Sequence, residues 1–159
     1  MTKGRIKQIS KDPKSFLLKG HRLSELISAK RERVESWHEL AESITVTLKP
    51  DGGTSSAYKQ SLVENAVCNI ADLENEIAAE IKELISIEKD IKEAIQLFVP
   101  DSRHKNILEM RYLNGYTLSS IGVRLQYGED WVCRLHKEAL QVMQDNAKKY
   151  FSEISAKPC

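Results

Sequence analysis

Two runs of apolar residues, spaced by threes and fours that average 3.5, restrict this chain more than any other feature. The first is Leu23, Ile27, Val34, Trp37, Ala41 and Ile44, with Lys30 in the one slot that lacks a hydrophobe. The second is Ile70, Leu73, Ile77, Ile81, Leu84, Ile87, Ile91, Ile95 and Phe98, eight steps over 28 residues. A period of 3.5 residues keeps one stripe of a helix turned toward a partner helix, so each run predicts a long helix with a coiled-coil-like seam. Lys30 costs stability at a seam position and helps to fix register. The first run fades at Ile44-Thr45-Val46-Thr47, four β-branched residues with poor helix propensity. Lys49-Pro50-Asp51-Gly52-Gly53-Thr54-Ser55-Ser56 follows, and its Pro, Gly and short polar residues predict a loop near 48–57. Two such helices joined by a short loop pack as an antiparallel hairpin over residues 16–99. Val63, Val67 and Ile85 fall beside the stripe, and pairing with a second copy as a homodimer would cover them.

Composition agrees with an all-α chain: 30% charged residues, 6% aromatic, 7 Gly and 4 Pro in 159. No apolar run approaches the roughly 18 residues of a membrane span, and no apolar signal core precedes Ser15, so a cytoplasmic protein is expected. Cys68, Cys133 and Cys159 have no paired spacing, which fits a reducing compartment and neither a disulfide framework nor a zinc knuckle. Glu35 and His38 have the Glu-x-x-His spacing of di-iron bundles, but such sites need a second copy and two further facing Glu residues. The other histidines, His21, His104 and His136, have no Glu three residues before them. No Gly-rich phosphate loop or nucleophile motif stands out, so no enzyme activity, metal or cofactor is expected.

The net charge of +1 conceals segregation. Met1–Arg22 holds seven Lys/Arg against Asp12 alone, Leu23–Pro100 has a net charge of −7, and the remainder carries +2. Residues 1–15 are expected to be a flexible basic arm, with Lys3, Arg5 and Lys7 available for phosphate or minor-groove contacts.

Residues 100–150 carry a more specific spacing. Asp101 or Ser102 can cap a helix that runs to about Leu113, and Asn114-Gly115 supplies a left-handed stop. Thr117 caps a short helix over 118–125, Gln126-Tyr127-Gly128 turns, and Glu129 and Asp130 favour the positive end of a third helix. A helix-turn-helix needs a hydrophobe, a small residue at the crossing, and hydrophobes three, five, ten and thirteen residues beyond it. Ile121, Gly122, Leu125, Tyr127, Val132 and Leu135 supply them. The position four past the small residue is usually a left-handed Gly. Here it is Gln126, which costs about 1 kcal/mol.

The stretch from Ile107 to Thr117 (ILEMRYLNGYT), with Ser120-Ile121-Gly122 and Val132 to Leu140 (VCRLHKEAL), resembles region 4 of bacterial sigma factors. From about Phe16 onward the chain is similar to small phage and prophage regulators of the ArpU and RinA type, which join a helical hairpin with a Gly/Ser-rich loop to a sigma-like end. The resemblance implies a DNA-binding regulator of phage late genes, acting in the bacterial host cytoplasm. The chain departs from that pattern at Gly128-Glu129-Asp130, where Ser or Arg is usual, and at Ser119-Ser120, where Glu-Glu is common.

The expected recognition helix is Glu129 to Asp145, lying in the major groove of double-stranded DNA. Its solvent-facing residues are Glu129, Asp130, Cys133, Arg134 and Lys137, since Val132, Leu135 and Ala139 face the core. Arg134 suits guanine O6 and N7, and Lys137 and Arg124 suit phosphates. Residues 151–159 are expected to be a tail. Two other outcomes fit the same elements: a small-terminase-like packaging protein that forms rings, or a module that binds RNA polymerase.

Overall fold

The computed structural model describes residues 1–46 and 54–157. Six helices and no strand occur among them: α1 (Lys3–Lys11), α2 (Pro13–Val46), α3 (Thr54–Phe98), α4 (Ser102–Tyr112), α5 (Leu118–Leu125) and α6 (Glu129–Ala156). The all-α fold, with a long hairpin and a C-terminal helix-turn-helix, is the one the heptads and the slot spacing predict. Residues 54–57 of the expected loop belong to α3, and 47–53 lie outside the described residues. The chain divides into two compact units, Leu23–Leu84 and the remainder.

In the Leu23–Leu84 unit, α2 and α3 run antiparallel along the expected stripe. Ile27, Val34, Ile70, Leu73 and Ile77 are buried together, with Leu23, Trp37, Ile81 and Leu84 against them. Lys30 fills its seam position by reaching across to α3, where its Nζ donates to Glu76 Oε2 at 3.0 Å and Glu80 Oε1 at 2.5 Å. The hydrogen bonds to Glu80 and then Glu76 hold the ammonium above its ordinary pKa. A cation bonded to two acids of the opposite helix is satisfied in one register alone, so Lys30 specifies alignment rather than strength.

The other unit begins with a correction. Residues 3–11, expected to lie in a flexible arm, form α1. Its Ile6 and Ile9 enter a core with Phe16, Leu17, Ile91, Ile95, Phe98, Leu108 and Met143. The Met1 ammonium meets Glu93 at 3.3 Å and Arg5 meets Asp90 at 2.5 Å. Gln144 of α6 donates to the Lys11 and Ser10 carbonyls at the end of α1. The boundary between α1 and α2 is local chemistry: the Asp12 carboxylate accepts from the Ser15 amide at 3.1 Å, and Pro13 opens α2. An acidic cap followed by Pro at the first helical position is a standard helix start. Charge density, which points to solvation, is outweighed here by one buried stripe.

The C-terminal end differs likewise. Helix α6 continues to Ala156, and Phe151 and Ile154, expected in a tail, pack on the same core. Residues 158–159, with Cys159, lie outside the described residues.

Candidate nucleic-acid interface

Helices α4, α5 and α6 build the candidate site around a small core of Ile107, Ile121, Val132 and Leu135. Side-chain caps fix the starts of α4 and α5, whereas α6 starts after Gly128 without one. Asp101 accepts from the Arg103 and His104 amides at 2.7 and 3.4 Å, and these bonds, with the Arg103 guanidinium, hold its carboxyl below the ordinary value. Thr117 Oγ1 accepts from the Ser120 amide at 3.1 Å. Gly115 takes the expected left-handed stop at φ 73°.

The turn between α5 and α6 sets the crossing of the motif. Gln126 is left-handed, at φ 57° and ψ 38°. The Tyr127 amide donates to the Gly122 carbonyl at 2.9 Å and the Gln126 amide to that of Val123 at 3.4 Å, the paired bonds of a Schellman ending. A Cβ on Gly122 would stand 2.9 Å from the Tyr127 carbonyl oxygen, so any side chain there forces the turn backbone to shift. Tyr127 itself is a correction: its side chain, expected in the core, is 39% exposed, and the backbone of this residue rather than its ring closes the motif. Gln126→Gly should remove the left-handed penalty and raise stability by about 1 kcal/mol, read as a higher urea midpoint at unchanged slope. An unchanged or lower midpoint would show that the Gln126 side chain makes a compensating contact.

Glu129, Asp130, Arg134 and Lys137 are exposed on the first turns of α6, and Cys133 is half-buried. Val132, Leu135 and Ala139 are buried on the opposite side. Arg124 is exposed on α5, its guanidinium 4.0 Å from the centre of the Tyr116 ring, beside a groove lined by Tyr116, Ser119, Ser120 and Val123. The end of α1 meets α6 at Gln144, about 15 Å along the helix from Arg134 at 1.5 Å per residue. Arg5 is engaged by Asp90, while Lys3 and Lys7 are exposed.

Trp131 is the residue that sequence reasoning passed over. It is 41% exposed on the first turn of α6, and the Arg134 guanidinium lies over its ring at 5.5 Å. No spacing in the sequence singles it out: it stands four residues before the core Leu135, at the flank of the buried stripe.

On the buried side of α6, His136 packs against α4. Its Nε2 lies 3.0 Å from the Tyr112 hydroxyl, with the rings stacked at 5.8 Å. Burial, and then the charges of Arg111 and Lys14, push His136 down to about 4. Burial raises Tyr112 to about 12. The phenol keeps its proton and shares a hydrogen bond with the neutral imidazole, whose tautomer sets which of the two donates. Charging the buried ring costs free energy in the fold that it does not cost in water, so a depressed histidine favours unfolding in acid. Its contribution is intact above pH 6.5 and is lost as pH falls toward 4, at most about 3 kcal/mol. Urea denaturation at pH 7.5 and 4.5 should show a smaller acid loss for His136→Gln than for the natural chain. Parallel losses would place the acid sensitivity elsewhere.

Residues 101–145 match the family described as Sigma-70, region 4. These residues form a sigma-70 region 4 domain. The match begins at the Asp101 cap and ends at Asp145 in α6, so it spans the helix-turn-helix and leaves the hairpin outside. Domains of this type bind DNA and RNA polymerase. No curated protein and no solved structure matches the chain. No helix among the described residues is long and apolar enough to cross a membrane.

Proposed function

We propose that this protein is a sequence-specific, DNA-binding transcription regulator, phage- or prophage-encoded, that acts by binding rather than by catalysis. The observation that carries the reading is the region 4 domain with its buried face satisfied and Arg134 and Lys137 exposed on α6. Arg134 reads a guanine edge, and Lys137 and Arg124 grip phosphates. Glu129 and Asp130 repel phosphates and accept from the amino groups of cytosine or adenine, so they narrow the range of sites rather than add affinity. The likeness to phage regulators, in a hairpin joined to a sigma-like end, supports the phage assignment and late genes as targets.

The hairpin pairs two copies and sets two heads on spaced half-sites. What supports this is apolar surface on both of its helices in the Leu23–Leu84 unit: Leu26 at 48% exposure, Leu40 at 53% and Val67 at 55%. Contact with RNA polymerase is a second use of the same domain, favoured by the family alone.

Selection of bound duplexes from a random pool, with solution mass measured in parallel, tests the reading. A regulator enriches one motif, with two half-sites for a dimer. A closed ring with no enriched motif would favour the packaging protein, and neither DNA binding nor self-association would leave a polymerase-binding module. Because α1 belongs to the core, the basic end is tested by Lys3→Ser and Lys7→Ser together rather than by truncation. If those residues touch phosphates, the slope of log affinity against log salt becomes shallower by roughly one unit per contact.

A further inference from the structure

The first turns of α6 display an aromatic ring that the domain core does not use. Trp131 stands immediately before the buried Val132, yet it lies outside the cluster of Ile107, Ile121, Val132 and Leu135. Over its indole lies the Arg134 guanidinium, 5.5 Å from the ring centre and within the range of a cation–π attraction. Arg134 has an acid four positions away on either side, Asp130 and Glu138, at the spacing that favours ion pairs on a helix. Among the described ion pairs it makes neither, and Glu138 instead faces His104 at 3.6 Å. The arginine therefore rests on an aromatic surface and keeps its donors clear of carboxylates.

We propose that Trp131 is a positioning residue for specificity: its indole holds the Arg134 guanidinium off Asp130 and Glu138 so that the fork can meet a guanine edge. The inference rests on the DNA-reading function proposed above and adds the residue on which that reading depends. A guanidinium is planar and weakly hydrated, so a ring face orients it without consuming its N–H donors. Support in the free protein also reduces the rotamer freedom lost on binding. Without the indole, the side chain falls within reach of both acids, and a donor held by a carboxylate is no longer offered to a base. Phosphate contacts from Lys137 and Arg124 do not depend on Trp131, so the effect appears in discrimination rather than in salt dependence.

The experiment uses the full chain and a duplex selected from a random pool. Discrimination is the ratio of Kd values on that duplex and on its variant at the guanine read by Arg134. Trp131→Ala should lower this ratio by roughly five- to tenfold, within the range expected for a bidentate contact. Its salt slope and thermal midpoint should stay at wild-type values. Trp131→Phe, which keeps a ring face, should retain most of the ratio. In an Arg134→Ala background, Trp131→Ala should change the ratio no further. A wild-type ratio in Trp131→Ala, a Phe variant that behaves as Ala, or an undiminished effect in the Arg134→Ala background overturns the proposal. A natural chain that discriminates among no duplexes overturns the DNA-reading function itself, and the positioning role with it.

Discussion

Ile77→Asp should unfold the hairpin. Ile77 is 8% exposed in the middle of the Leu23–Leu84 unit, packed with Ile27, Val34, Ile70 and Leu73. The substitution removes a buried aliphatic side chain and places a carboxylate among hydrocarbons, with Lys30 already bonded to Glu76 and Glu80. A loss of roughly 3–5 kcal/mol follows, enough to exhaust the stability of many domains. Circular dichroism should show much of the helical signal lost at a lower temperature than in the natural chain. Val67→Glu, at a position 55% exposed, is the control: its helix content should be unchanged while any dimer dissociates. A wild-type melt for Ile77→Asp would mean that the seam is not the hairpin core.

Gly122→Val should damage the sigma region 4 domain almost as severely. Even one methyl would sit 2.9 Å from the Tyr127 carbonyl oxygen, with Val132 Cγ2 at 3.7 Å. The near obstacle is backbone, and the Tyr127 amide bond to the Gly122 carbonyl holds it in place. Relief requires opening the α5–α6 turn, so about 3 kcal/mol is the expected cost, with smaller damage for Ala. Gly122→Val should therefore lower the urea midpoint and also remove DNA binding, because the recognition helix is displaced from α5. Wild-type stability in the Val variant would mean that the turn yields easily, contrary to the Schellman geometry seen here.

The features legible in the sequence were those with a period or a fixed spacing. The stripe from Ile70 to Phe98 emerges as buried or half-buried positions, and Lys30 identified itself by occupying a hydrophobe's slot. Ile121, Gly122, Val132 and Leu135 follow the crossing geometry, and Gln126 adopts the left-handed conformation its position demanded. Features built from few residues were not legible. Helix α1 buries only Ile6 and Ile9 as hydrophobes, too few to register as a period against a background of lysines. Phe151 and Ile154 were likewise too sparse to extend α6. Tyr127 satisfied a hydrophobic slot by type, yet its backbone fills the role and its ring does not. In the candidate site, polarity revealed Arg134 and Lys137, whereas Trp131 was hidden because an aromatic on a helix is ordinarily taken for core.

Titration of the natural chain, Arg134→Ala and Lys137→Ala on a selected duplex and all its single-base variants tests the central claim most directly. Arg134→Ala should cost about 1–3 kcal/mol on the selected duplex and flatten the preference at one base pair. Lys137→Ala should weaken strong and weak duplexes alike, with a shallower salt slope. If Arg134→Ala keeps wild-type ratios across every variant, α6 does not read DNA through Arg134, and the account of this surface as a base-reading face is contradicted.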